Sequence, residues 1–355
     1  VGLTHGNSRR ETPARTAKRL QISLEAASLF HDSEVIDLHV DSFIWTRIAG
    51  YDLTARHSAG PTPGHFFRQV DIPRLRQVGI DGATWVITTN PWRTAAKRKS
   101  TFARNLDRLS RILDTSGETR MVGSHSEYQA ARSAGLHAAF VGIQGGNALG
   151  PPFHVDAELA RRLLRVTLVH LTTSSLGATS SPLRLPSPKR RHTEELVTQL
   201  NERRVFVDLA HISRSDFDAV LEIHSRAVPP IVTHTGVCGA RDHWRNLTDG
   251  QLRAIAERGG IVGIMYHSLY IRKPPFRARA SDVVRHIRHA LDVCGEGAVC
   301  LGSDWDGMIT TPGDMATCLE LPVLVEEMLK AGLGEAVIRK VLGGNFLRLL
   351  REVRP

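Results

Sequence analysis

No uninterrupted apolar stretch in this chain is long enough to cross a bilayer, which excludes a membrane-spanning helix. The segment Val1 to Arg19 is polar and basic and lacks the apolar centre of a secretion signal. The final residues, Arg354-Pro355, lack the apolar tail of a lipid-anchor signal. The expectation is a cytoplasmic protein with no membrane partner. Cysteine is scarce: Cys238, Cys294, Cys300 and Cys318, with no C-x-x-C pair. That spacing suggests neither a zinc knuckle nor a redox dithiol. Free thiols in a reducing compartment are expected, a Cys294–Cys300 bridge being the alternative. Aromatics make up only 6% of residues and do not interleave with the compact basic clusters Lys97-Arg98-Lys99 and Lys189-Arg190-Arg191. The net charge of +10 comes from arginines spread along the chain. It therefore reads as a general attraction for anionic substrates rather than a nucleic-acid surface. No Ser-centred G-x-S-x-G elbow is present, which disfavours a serine hydrolase.

What is present points to an α/β fold. At 355 residues, 41% hydrophobic and 23% charged, the chain suits one soluble (β/α)8 TIM-type barrel. Residues 1–13 read as a flexible tail and 14–355 as a single barrel domain. Eight short runs rich in Val and Ile read as strands: Val35–Leu38, Gly82–Thr88, Ala138–Ile143, Val166–His170, Val205–Leu209, Pro230–Thr233, Ile261–Met265 and Val299–Gly302. A leading helix is expected over Ala14–Phe30. Amphipathic segments such as Phe102–Leu113, Thr193–Arg203, Ser213–Ile223 and Ser281–Val293 alternate with the strands. A doubly wound open sheet is the rival, but it usually brings a Gly-rich phosphate turn near the first strand. The first strand here ends in His39-Val40-Asp41 instead. The Ser-, Thr- and Pro-rich stretch Thr172–Lys189 reads as a long loop over the barrel mouth. Gly145-Gly146 permits a tight turn after a strand, and Gly343-Gly344 reads as a helix-ending turn.

The chemistry sits at strand ends. His39 and Asp41, two apart on a strand, leave it side by side, as a divalent metal requires. His211 and His234 end two further strands and suit a second metal. Asp304, in Gly302-Ser303-Asp304-Trp305-Asp306-Gly307, can move a proton at an activated water. Asp306 fits a turn, although period-two geometry lets both acids face inward. His170 can steady an oxyanion by donating a hydrogen bond, or be a packed polar group. Arg245 is by itself one arginine among many, but a guanidinium there can take a carboxylate.

Together these segments resemble the membrane dipeptidase (renal dipeptidase) family, a metallopeptidase branch of the amidohydrolase-like barrels. The resemblance runs from about Val35 to Leu350. It rests on Asp37-Leu38-His39-Val40-Asp41, Asp71-Ile72-Pro73-Arg74-Leu75, Gly142-Ile143-Gln144-Gly145-Gly146, Val207-Asp208-Leu209-Ala210-His211-Ile212-Ser213, Arg245-Asn246-Leu247, Gly302-Ser303-Asp304-Trp305-Asp306-Gly307 and Leu342-Gly343-Gly344-Asn345-Phe346. It implies a (β/α)8 barrel, two zinc ions and hydrolysis of dipeptides by metal-activated water, in proteins that are often homodimers. It also implies that His39 and Asp41 ligate one zinc and His211 and His234 the other. His170 and Asp304 would serve catalysis or contact substrate, and Arg245 would hold the substrate's terminal carboxylate.

One position departs from the pattern. The family sets a glutamate between its metals, in an Ile-Glu-Gly-Gly type segment, and this chain has Gln144. A neutral amide offers one acceptor oxygen and no charge to offset two dications. The expectation is therefore one or two zinc ions. The alternatives are a single-zinc amidohydrolase acting on another amide or lactone, and a catalytically silent binding protein.

Overall fold

The computed structural model describes residues 10–60, 62–181 and 191–355. Nine strands are formed: β1 (Ile36–Val40), β2 (Gly82–Thr88), β3 (Thr119–Met121), β4 (His137–Gln144), β5 (Arg165–Thr167), β6 (Phe206–Asp208), β7 (Ile231–Thr235), β8 (Ile261–Ile264) and β9 (Val299–Leu301). Every pairing between them is parallel. Eight strands close a ring in the order β1-β2-β4-β5-β6-β7-β8-β9. The fold is the closed TIM-type barrel, and each of the eight expected runs supplies one of its strands.

β3 is the additional strand. It pairs with the first half of β4, Thr119 against His137, while β5 joins the second half, Gly142 against Arg165. Three residues, Thr-Arg-Met, give no apolar run for the sequence to announce. The eight barrel strands are buried along their whole length. Their inner faces fill the barrel and their outer faces lie under helices, which explains the nearly continuous apolar runs. On β1 the alternation is visible: Asp37 and His39 face the axis, while Ile36 and Leu38 join an outer cluster with Phe140, Phe346 and Leu349.

Close approach of the last strands requires glycine. A Cβ on Gly263 would lie 2.1 Å from the Thr233 carbonyl oxygen, and one on Gly302 only 1.7 Å from it. The backbone can narrow there only without a side chain.

Two helical expectations are corrected. The leading segment is two helices, Pro13–Leu20 and Leu24–His31. Gln21 ends the first in the left-handed region at φ 55°, and Ser23 caps the second by accepting from the Ala26 N–H. Gly343 and Gly344 do not end a helix. They lie in the π-helical turn Lys340–Gly344, which joins Glu335–Arg339 to Asn345–Val353. A Cβ on Gly343 would lie 2.4 Å from the Glu34 carbonyl, so this turn presses on the entry to β1.

Of the segment expected as a tail, residues 10–13 are described, and Pro13 already opens the first helix. Glu11 donates its N–H to the Gln77 carbonyl and its carboxylate accepts from Arg19. Of the long loop after β5, residues 172–181 are described. Ser180 donates its N–H to the His211 carbonyl, and Thr179 bridges Ile212, so this part runs along the end of β6. The remainder, 182–190, lies outside the described residues, as do Lys189 and Arg190 of the second basic cluster. The four cysteines are free thiols. Among the described residues no helix is long and apolar enough to cross a membrane.

Candidate metal centre

β1 delivers His39 at its end and Asp41 immediately beyond it. His39 Nε2 lies 3.3 Å from Asp41 Oδ2 and 3.6 Å from Asp304 Oδ1. β7 delivers His234, whose ring centroid is 3.8 Å from that of His39. His39, His234 and Asp304 all offer ligand atoms within 4.8 Å of one another, and all three are buried. β6 leads to His211, whose Nε2 is 2.8 Å from His234 Nε2. β4 ends in Gln144, whose Nε2 is 3.0 Å from His211 Nε2. The His170 and His211 rings meet edge-on at 4.8 Å. The sequence-predicted residues therefore converge at the C-terminal mouth of the barrel, where βα segments build sites in this fold.

The backbone is bent to aim two of them. His211 and Asp304 sit in the left-handed region, at φ 66° and 62°. Such conformations are uncommon for side chains other than Gly, Asn and Asp, and they persist only where surrounding contacts enforce them. Once the chain leaves β geometry, alternation no longer tells which way a side chain points. That is why the sequence left Asp304 and Asp306 undecided. Asp306 is a buried clamp: it accepts from the Ser42 hydroxyl and from the Gln69 N–H at 2.8 Å, tying the segment after β1 to the segment after β9.

Beneath the cluster lies a network the sequence did not reveal. Arg165 on β5 is fully buried and crosses the barrel interior. Its Nη1 donates to Asp208 Oδ2 at 3.0 Å and to Thr167 Oγ1, and its Nη2 donates to His39 Nδ1 at 2.8 Å. Asp208 also accepts from the Thr167 hydroxyl, the Thr233 hydroxyl, the Thr233 N–H and the Ala210 N–H. The available signal was weak. Arg165 and Thr167 share a strand face, and Thr167 is the register partner of Asp208.

This network fixes two imidazole tautomers. A guanidinium only donates, so His39 Nδ1 is an acceptor. The His39 proton then sits on Nε2, facing Asp41 and Asp304, and a cation held at Nε2 would have to displace it. The Thr233 hydroxyl gives its proton to Asp208, so it accepts from His234 Nδ1 at 3.0 Å. That leaves the His234 Nε2 lone pair facing the cluster.

Electrostatics favour a cation at this place. Burial holds His39, His211 and His234 below the ordinary histidine range, so all three are neutral, as ligation requires. Burial pushes the Asp304 carboxyl well up, and repulsion by Asp41 adds to it, against the pull of Arg245. Asp41 Oδ1 is buried with no partner. Two crowded buried carboxylates, an orphaned oxygen and two neutral imidazoles fit one divalent cation. The pair His211 and Gln144 differs. With His234 it forms a contact chain with no anionic member, and Gln144 Oε1 is buried without a partner. It supplies no charge to offset a second dication.

His170 is pushed down to about 4 by burial, partly offset by Asp41, so it is neutral and can donate one hydrogen bond. Arg245 is buried at the same mouth. Its Nη2 donates to the His234 carbonyl at 3.0 Å, while its Nε has no partner. A guanidinium with a free buried donor suits an incoming anion.

A family model described as membrane dipeptidase (peptidase family M19) matches residues 24–355. A curated relative, an uncharacterised protein of the pqqA 5′ region of Klebsiella pneumoniae, is 33% identical over 162 residues. That match covers 45% of this chain and 59% of the relative, so the chain spans little more than half its length. Among solved structures, dipeptidase AC, a family M19 metallopeptidase, is 24% identical with a TM-score of 0.77, covering 91% of this chain and 99% of its own. A Rhodobacter sphaeroides metallopeptidase, solved with a phosphinate mimic of L-Ala-D-Ala, is 23% identical with a TM-score of 0.78, covering 91% and 100%. The probable dipeptidase PvdM of Pseudomonas aeruginosa is 19% identical with a TM-score of 0.79, covering 95% and 98%. These structural likenesses establish the barrel. With the family model matched across nearly the whole chain, this protein belongs to the membrane dipeptidase family, peptidase family M19.

Proposed function

We propose that this chain is a metal-dependent hydrolase that cleaves the amide bond of a dipeptide or dipeptide-like substrate carrying a free carboxylate. The observation that carries the reading is the buried cluster of His39, His234 and Asp304, with Asp41 beside it. These four side chains would hold one divalent cation, zinc being the first candidate for His and carboxylate ligands. Such a cation supplies polarisation of the carbonyl and activation of water at neutral pH. Family membership and the dipeptide mimic bound by the Rhodobacter structural relative support the substrate class.

The residues then divide the work. Arg245 binds the substrate carboxylate through its free donor and fixes the distance of the amide from the cluster. Asp304 takes a proton from the attacking water and returns it to the departing nitrogen. Its position among buried carboxylates suits a group that must hold and release a proton. His170, neutral, donates a hydrogen bond to the carbonyl oxygen as negative charge develops there. Arg165 touches no substrate; it positions His39 through Nδ1.

A site with one cation is favoured over a binuclear one because Gln144 brings no charge. The test is turnover of a panel of L,L and L,D dipeptides by chelator-treated protein with and without added zinc. Zinc-dependent cleavage is expected. Folded, zinc-supplied protein that cleaves none of them, nor any amine-free counterpart, contradicts the reading.

A further inference from the structure

We propose that the amide cleaved here is preferentially that of an N-acyl amino acid, with an apolar, amine-free acyl part, rather than that of a dipeptide with a free α-ammonium group. This inference rests on the hydrolase reading above and narrows its substrate. It starts from the two sides of the mouth. Arg245, in the segment after β7, claims the carboxylate end of the substrate. The scissile amide lies at the cluster, so the other end of the molecule points away from Arg245, toward Gln144 and His170.

Among the described residues, that side offers no carboxylate to hold an ammonium. A narrow crevice there is lined by Pro91, Gln144, Val169, His170, Leu171 and Thr172, among others, and none of its described lining residues is acidic. The charge pattern is broader than the crevice. β2, β4, β5 and β6 are consecutive neighbours in the barrel. The segments that follow them, residues 89–94, 145–155, 168–192 and 209–213, contain no Asp or Glu at all. Of their described residues, Arg93 and Arg191 are cationic. The described residues of these segments are therefore neutral or positive, and the acids that touch them, Glu195 and Asp216, are engaged with Phe153, His192 and Ala178 rather than lining the crevice. Gln144 removes the negative charge that a glutamate would have placed there. Asp41 and Asp304, the acids at the cluster, are the ones that would face the cation.

An ammonium held on that side would lose water without gaining a partner, beside positive side chains. Desolvating an unpaired charge is strongly unfavourable. An apolar acyl chain fits the same surface. Leu171 is 60% exposed in the crevice, and Trp92, beside Pro91, is 77% exposed. Covering such side chains with hydrocarbon is favourable. The reaction is plain hydrolysis. Water adds its hydroxyl to the acyl carbon as the C–N bond breaks, and its proton goes to nitrogen, giving a carboxylic acid and a free amino acid.

A matched pair tests this. 4-Methylpentanoyl-leucine is leucyl-leucine without the α-amino group and is otherwise the same molecule. Both are assayed with the zinc-supplied full chain, using either enantiomer of the C-terminal leucine. The acyl amino acid is expected to show the higher kcat/KM, by about tenfold or more. Leu171→Glu, an exposed crevice residue outside the cluster, should shift the preference toward leucyl-leucine by several-fold. Circular dichroism shows whether that variant is folded, and the parent comparison stands without it. Leucyl-leucine cleaved equally well or better overturns this proposal alone and leaves the hydrolase reading intact. Cleavage of neither compound, nor of any other dipeptide, overturns the hydrolase reading and this inference with it.

Discussion

Removing one partner of the Arg165–Asp208 pair should unfold the protein more readily, and by different amounts for the two partners. Both side chains are fully buried, with Nη1 and Oδ2 3.0 Å apart. Burial holds the Arg165 guanidinium below its ordinary range. Burial alone would raise the Asp208 carboxyl, but Arg165 and four hydrogen bonds outweigh it and hold it low. Breaking such a pair from one side typically costs about 3–5 kcal/mol. In Arg165→Met, Asp208 keeps two hydroxyl and two backbone donors, so the loss falls near the low end. In Asp208→Asn, Arg165 keeps only neutral partners (Thr167, His39 and the new amide oxygen), so an uncompensated charge is left in the interior and the loss falls near the high end. With a urea slope of about 3 kcal/mol/M, the midpoints should fall by about 1 M and about 1.5 M respectively. Urea titration of metal-free protein, followed by far-ultraviolet circular dichroism, reads both. A reversed order, or a midpoint within about 0.3 M of the parent for either variant, refutes the reasoning. If Arg165 positions His39, Arg165→Met should also weaken zinc binding by about 10- to 100-fold.

Other outcomes follow from the same contacts. His286 is fully buried, its Nδ1 accepting the Val237 N–H at 3.0 Å and its Nε2–H donating to the Ile271 carbonyl at 3.2 Å, and burial pushes it down to about 4. The unfolded chain takes up that proton near pH 6.5, so the stabilisation is whole above about pH 7, falls as pH drops through 6.5 toward 4, and is flat below. Between pH 8 and pH 5 the parent should therefore lose about 2 kcal/mol more than His286→Gln, measured by urea midpoints; equal losses argue against it. Gly302→Ala sets a Cβ 1.7 Å from the Thr233 carbonyl oxygen and should cost at least about 3 kcal/mol, so an unchanged thermal midpoint contradicts the packing described. Arg245→Met should raise KM about 30-fold or more for substrates with a free carboxylate and leave a C-terminally amidated analogue unaffected. Equal effects on both would show that Arg245 does not bind the carboxylate.

The barrel was legible because parallel strands buried on both faces must be short apolar runs; β2 has the expected bounds, Gly82–Thr88. The cluster was legible because polar residues at the ends of such runs have nowhere to go but the mouth. What was hidden depends on closure. Arg165 opens a strand as an arginine at an edge would, and its partner Asp208 lies 43 residues away in sequence. Pairing of β5 with β6 brings those two together, and closure of the ring brings His39 of β1 across the interior to the same guanidinium. Asp306 looked like a turn residue because its partners, Ser42 and Gln69, come from the far end of the chain. The break at Gln21 left no proline or glycine to mark it, although the Ser23 cap was readable. The π-helical turn at Gly343 answers to the Glu34 carbonyl, a contact that no local pattern encodes.

The central claim is that His39, Asp41, His234 and Asp304 share one cation. Elemental analysis after zinc saturation and desalting tests it most directly, on the parent and on a His39→Ala, Asp304→Ala double variant. The account predicts about one zinc retained per parent chain and essentially none in the folded variant. A parent that retains no zinc, or a variant that retains as much as the parent, would contradict it.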